Sequence, residues 1–295
     1  MVMNSQMDPG ATTVPGMYAA SEYEIFAECA RREHANSGAI VDLGCWFGGT
    51  SIALASGIRK AQQAGVQGPA KVIGIDQFIW ASWMNVDPND ARLRLKPGDN
   101  FYPAACDYVK EYRDIVELVQ ADLLRYVWKG GPIKLLLVDA MKNWGVARQI
   151  VRSFFPSLRK GAILIHQDFK HFYTPWIHLI QYRLRDYFQA IHDYSDGDTV
   201  IFRSRSPISS HAARFATEFE NISDLEALMA FQYSRTIVGE RGIYRVAAAH
   251  VAYFVQLGRK ADAQKAYYGY LRQNVPANHP MMIGVKSVLD TMPDR

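Results

Sequence analysis

Over residues 36–204 the apolar positions follow two alternating rhythms. Short, nearly unbroken apolar runs fall at 39–43, 71–76 (KVIGID), 115–120 (IVELVQ), 133–139 (IKLLLVD) and 162–168 (AILIHQD). Between most of them the spacing turns helical, as at 50–63 and 144–158, and Tyr23, Ile25, Phe26, Cys29 and Ala30 predict an earlier amphipathic helix over 18–35. Continuous apolar strands divided by helices are what a parallel sheet covered on both faces requires. The unit closes differently. AIHDYS and DTVIFR are separated only by Asp196 and Gly197, which predicts a hairpin and a last strand antiparallel to its neighbour. The expected fold class is therefore α/β, with a seven-stranded sheet.

Beyond Pro207 no further strand is predicted; residues 224–237, 243–258 and 261–273 read as successive helices. Residues 1–16 are polar, carry Pro9, Gly10, Pro15 and Gly16, and read as a loose tail.

Composition narrows the picture only slightly. Hydrophobic residues make up 49% of the 295 positions and charged residues 21%, the balance of a folded globular chain. The absence of a long apolar run argues against a membrane span, and the polar start against a leader, so a cytoplasmic location is expected. Cys29, Cys45 and Cys106 have no paired spacing and read as reduced thiols, Cys45 as a small buried filler. A net charge of +4 without a dense basic block gives no sign of a nucleic-acid partner.

The chemistry begins where the first run ends, in GAIVDLGCWFGGTS (38–51). Ligands of parallel sheets bind outside the carboxyl ends of the strands, and glycines there let backbone approach a ligand and a helix open onto it. The pattern is Asp42-x-Gly44-x-x-x-Gly48-x-Thr50-Ser51, with Trp46 where a dinucleotide fingerprint would carry its middle glycine. A bulky ring there obstructs a pyrophosphate, which weakens the dinucleotide reading.

This stretch resembles the class I S-adenosylmethionine-dependent methyltransferases, and within them the macrocin and mycinamicin type O-methyltransferases and the related cephalosporin-hydroxylase-like proteins. The resemblance covers residues 36–204. It implies a Rossmann-like methyltransferase sheet and adenosylmethionine as cofactor, with a methyltransferase domain over 17–205 and a helical C-terminal region over 206–295. Asp42, Gly44, Trp46, Gly48, Thr50 and Ser51 would then belong to the cofactor site. Asp76, ending the second strand, and the adjacent Gln77 would serve the ribose, and Asp122, after the third, the adenine amino group. A simple helix N-cap explains Asp122 equally well. Asp139, ending the fourth strand, joins this set.

Toward the reacting end, VDAMKNW places Asp139 beside Lys142, and IHQDFKH brings His166, Gln167, Asp168 and His171 to the same strand edge. In many metal-dependent O-methyltransferases an acid closes the fourth strand, a lysine follows three residues later, and an acid-amide or acid-acid pair closes the fifth. Asp139, Gln167 and Asp168 are the corresponding candidate magnesium ligands, with Gln167 departing from the usual acid. The alternative is transfer without metal, with Lys142, His166 or His171 taking the acceptor's proton. The spacing of His166, His171 and His178 fits no zinc motif.

Residues 77–102 form a long connection with Trp80, Trp83, Arg92, Arg94 and Lys96, suited to closing over a substrate or to packing as an insertion. Tyr173, Trp176, Tyr182 and Tyr187 read as a core-facing helical stripe. The expected activity is O-methylation of a small-molecule or sugar-bearing acceptor by a possible homo-oligomer. The alternative is a non-catalytic adenosylmethionine-binding or scaffold module using the helical C-terminal region as a partner surface.

Overall fold

A computed structural model describes residues 14–15, 19–82, 84 and 95–293. The chain divides into two compact units, residues 1–137 and 138–295. A single seven-stranded sheet has the order β3-β2-β1-β4-β5-β7-β6. This is the mixed, Rossmann-like architecture that the resemblance implied, with its last strand reversed.

In the first unit, α1 (Ala20–Glu33) precedes β1 (Ala39–Leu43), α2 (Gly49–Gln63) and β2 (Val72–Asp76). α3 (Tyr102–Tyr108), β3 (Val116–Gln120) and the start of β4 (Ile133–Val138) follow. β1 pairs with β2 and β2 with β3, all parallel, in the registers Asp42 to Gly74 and Asp76 to Gln120. Parallel pairing forces a crossover after each strand, and α2, packed on α1, supplies the first. Every residue of β4 is buried, including Lys134, whose ammonium donates to the carbonyls of His34 and Asn36 at 3.0 and 2.8 Å. Those bonds are what allow a cation inside an apolar strand.

In the second unit, α4 (Trp144–Phe154) leads to β5 (Leu158–His166), α5 (Pro175–Arg183), β6 (Phe188–Asp193) and β7 (Val200–Ser204). Asn143 starts α4 by accepting the Val146 N–H at 2.9 Å. β7 runs antiparallel to both β5 and β6, as the Asp196-Gly197 turn predicted. α6 (Ser210–Ala216), α7 (Asp224–Ile237), α8 (Glu240–Gln256), α9 (Lys260–Arg272) and α10 (Pro280–Asp290) complete the unit. α7 and α8 pack on α5, and α9 and α10 on α8, so the helices after residue 205 share a core with the strand-bearing part of their unit. No helix among the described residues is long and apolar enough to cross a membrane.

Candidate active site

The candidate residues fall into two groups, one in each unit. In the first, β1 delivers Asp42 fully buried, and its Oδ2 accepts both the Thr50 and the Ser51 hydroxyl at 2.7 Å. Its Oδ1 is buried without a partner. Burial pushes the carboxyl up to about 6, against the opposing pull of the two hydroxyls. The acid thus ties the end of β1 to the first turn of α2 and keeps one oxygen in reserve.

The turn between them is left-handed at Gly44, Trp46 and Gly48, with φ of 83°, 50° and 87°. Glycine is required at Gly48 on a second count, because a Cβ there would meet the Val109 side chain at 2.4 Å. Gly48 caps α2 without offering a side chain, which leaves the first-turn N–H groups uncapped by any side chain.

Asp76 closes the same corner from β2. One of its oxygens accepts the Trp46 N–H at 3.0 Å, the other the Phe78 N–H at 2.9 Å. Burial raises its carboxyl above the ordinary range, countered by those N–H groups. Trp46 is held in its uncommon backbone conformation by packing: its ring lies 4.9 Å from Phe47 and 6.2 Å from Trp80, within an apolar cluster that includes Cys45 and Phe101. Cys45 is buried with its thiol pushed well up, a filler as expected.

Gln77 is exposed, and its carbonyl accepts the Gln120 amide at 2.9 Å. Asp122 begins a turn, not a helix, and its Oδ1 accepts the Leu124 N–H at 2.9 Å. The segment after Asp76 doubles back on itself: Trp80 and Asp99, like Phe78 and Phe101, share backbone bonds, and the Trp80 ring is buried. Lys96 is exposed at its base, while Trp83, Arg92 and Arg94 lie outside the described residues.

In the second unit the ammonium of Lys142 sits between two carboxylates. It donates to Asp139 Oδ1 at 2.6 Å and to Asp168 Oδ2. Burial alone would lower this lysine, but the two acids outweigh it and hold the amine protonated far above neutrality. Lys142 therefore does not serve as the proton acceptor that the sequence offered it as.

The same arrangement gives no support to the magnesium expectation at Asp139, Gln167 and Asp168. Both carboxylates already share one cation, and Gln167 brings only a neutral oxygen. A divalent ion there would compete with the Lys142 ammonium for both carboxylates. Among the described residues no three His, Cys, Asp or Glu side chains form a metal cluster. Gln167 itself is buried with its Oε1 unpartnered.

His166 also departs from expectation. Its ring is fully buried among Phe155, Phe169 and Phe202, with both nitrogens unpartnered, and burial pushes it down to about 3. It is a neutral core residue. His178 is likewise buried, paired through Nδ1 with the Ser234 hydroxyl at 2.9 Å. His171 is different: half-buried on the loop after β5, its ring lies tilted at 44° against that of Tyr173 with centroids 3.8 Å apart, and burial lowers it from the usual imidazole range. Trp176 is buried in α5, as a core stripe requires, whereas Tyr173 precedes the helix and is 40% exposed. Burial raises its phenol above the ordinary range, with the Asp168 carboxylate adding to the rise and Lys142 opposing it. Helical spacing had merged Tyr173 with Trp176 in one stripe, which hid its separate position.

No protein-family model and no curated protein matches the chain. It is similar to several solved methyltransferase structures. With the O-methyltransferase NovP it shares 16% identity, covering 65% of this chain and 82% of that one, at a TM-score of 0.45. With CalS11, a calicheamicin methyltransferase, the figures are 16%, 62%, 78% and 0.44. With the 23S rRNA methyltransferase ErmE they are 13%, 79%, 98% and 0.40. Those activities are statements about those proteins.

Proposed function

We propose that this chain is an S-adenosylmethionine-dependent methyltransferase that methylates a hydroxyl oxygen of a small molecule or sugar-bearing metabolite. One arrangement carries the reading: a left-handed glycine turn opening onto an α2 N-terminus without a side-chain cap, flanked by Asp42 with a buried unpartnered oxygen and by Asp76. When bound, adenosylmethionine supplies a methyl group activated by its sulfonium.

The chain's own residues divide the remaining work. Each oxygen of Asp76 takes one backbone N–H and keeps further lone pairs, which suits a pair of ribose hydroxyls. Gly44 and Gly48 let the backbone come close, Asp42 with Thr50 and Ser51 sets the floor, and Gln77 and Asp122 stand on the adenosine side. In the second unit, Lys142 is a fixed cation oriented by Asp139 and Asp168, and it favours the negative charge that grows on an acceptor oxygen. His171, kept neutral by its half-buried position, takes the hydroxyl proton.

Calorimetry of the full chain with S-adenosylmethionine and with its demethylated product tests the binding half. Absence of both interactions in folded protein overturns the proposal. Binding without methyl transfer to any of a panel of phenols, glycosides and sugar nucleotides supports a binding or scaffold module instead.

A further inference from the structure

The helices after residue 205, which no part of the sequence resemblance reached, touch the loop that carries His171 and Tyr173 at two independent points. The first is Gln256, at the last turn of α8. Its Oε1 accepts the Trp144 indole N–H at 3.0 Å, and its amide donates to the Tyr173 carbonyl at 2.9 Å. One side chain thereby joins the start of α4, two residues beyond Lys142, to the loop after β5. Trp144 is itself fixed from several sides, by Trp176 at 5.3 Å, Phe219 at 4.6 Å and Tyr253 at 6.5 Å. The second point is Gly284 of α10. A Cβ there would lie 2.9 Å from the Phe172 ring, so the loop rests against a helix surface that only glycine leaves open.

We infer that Gln256 and Gly284 are positioning residues, and that the C-terminal helices set the placement of the contacting His171 and Tyr173 rings beside the Lys142 triad. The C-terminal region is then part of the acceptor side of the site. That last assignment rests on the methyltransferase reading, while the bracing of the loop does not.

The two levers have opposite effects on the helices that bear them. Gln256→Ala removes both bonds. Gln256→Glu keeps an acceptor for Trp144 but offers no donor to Tyr173, and Trp144→Phe breaks only the other half. Gly284→Ala gives α10 a better helix former while pushing Phe172 away. The readout is the imidazole carbon-bound proton signal of His171 in the full chain, assigned by His171→Gln and shifted by the Tyr173 ring against it.

Gln256→Ala, Gln256→Glu and Gly284→Ala are expected to move this signal toward that of a histidine with no ring against it. They should also raise amide hydrogen exchange over 169–174 about fivefold, the scale of one hydrogen bond, and leave the His34 signal in place. Trp144→Phe should leave the His171 signal where it is in the parent protein. A His171 signal unchanged in both Gln256→Glu and Gly284→Ala overturns the inference, whatever either substitution does to melting temperature. Calorimetry with the demethylated cofactor product runs on the same samples. If the parent protein fails to bind it, the methyltransferase reading falls while the loop measurement still decides the bracing.

Discussion

The backbone N–H of Trp46 lies 3.0 Å from a carboxylate oxygen of Asp76, thirty positions further along the chain. This bond fastens the turn after β1 to the end of β2, so the same acid that is proposed to hold a ribose also shapes the loop beside it. Asp76→Ala should therefore do more than delete a ligand contact. Two charged bonds to backbone are lost, and affinity for the demethylated cofactor product should fall roughly 100-fold. Asp76→Asn, which keeps one acceptor oxygen, should fall between. Calorimetry of the three proteins checks the order, and equal affinities would remove Asp76 from the site.

Lys142 neutralises two acids that are largely out of water, with side chains 18% and 12% exposed. Lys142→Met leaves them facing each other without a cation. Since Lys142 is itself one-third exposed, the expected loss of stability is about 2 kcal/mol, less than for a fully buried pair. Methyl transfer should be lost and cofactor binding retained. Lys142→Arg should recover stability better than turnover. Chemical unfolding and product formation, measured on the same preparations, separate the two effects.

His166, His178 and His250 are buried, and burial pushes them down to about 3, 3 and 4. The unfolded chain protonates such rings near pH 6.5, so between that value and the folded ones the unfolded state binds more protons. Stability must then fall as pH drops through this window. At pH 5 the loss is roughly 2 kcal/mol for each ring. Asp42 works in the opposite sense between about 6 and the ordinary carboxyl range, because its folded form takes up a proton first. Urea unfolding from pH 7 to 4.5 should show the decline. His166→Leu should flatten it and leave turnover intact, whereas lost turnover with an intact fold would return His166 to the catalytic set.

Gly48→Ala combines a left-handed backbone with a Cβ 2.4 Å from the Val109 side chain. The expected cost is about 2 kcal/mol or more. Adding Val109→Ala should return the steric part and leave the backbone part, so a double-mutant cycle should show a coupling of about 1 kcal/mol. Additive effects would mean that the clash is relieved elsewhere.

Much of this architecture was legible because its signals are local. The glycine turn, the strand-end acids and the Asp196-Gly197 hairpin each announce themselves within a few positions, and α7 was read with its observed limits. The short helices α3 and α6 were passed over because two turns of helix carry too little periodicity.

The reacting end was less legible for a different reason. The last five residues of β5, 162–166, are all buried, so no alternation told which way His166 points. Nor does spacing reveal that Lys142 reaches both Asp139 and Asp168, since the second pairing spans 26 positions. Gln256 gave no signal at all: an exposed glutamine at a helix end is ordinary until the fold brings Trp144 and Tyr173 to it.

A tryptophan with a φ of 50° would not choose that conformation on its own; the rings of Phe47 and Trp80 choose it. The shape of the ligand-facing turn is thus a readout of aromatic packing behind it. Substitutions at Trp80, which packs behind Trp46, should behave as affinity mutants, and a screen for weakened cofactor binding would recover core positions alongside the acids.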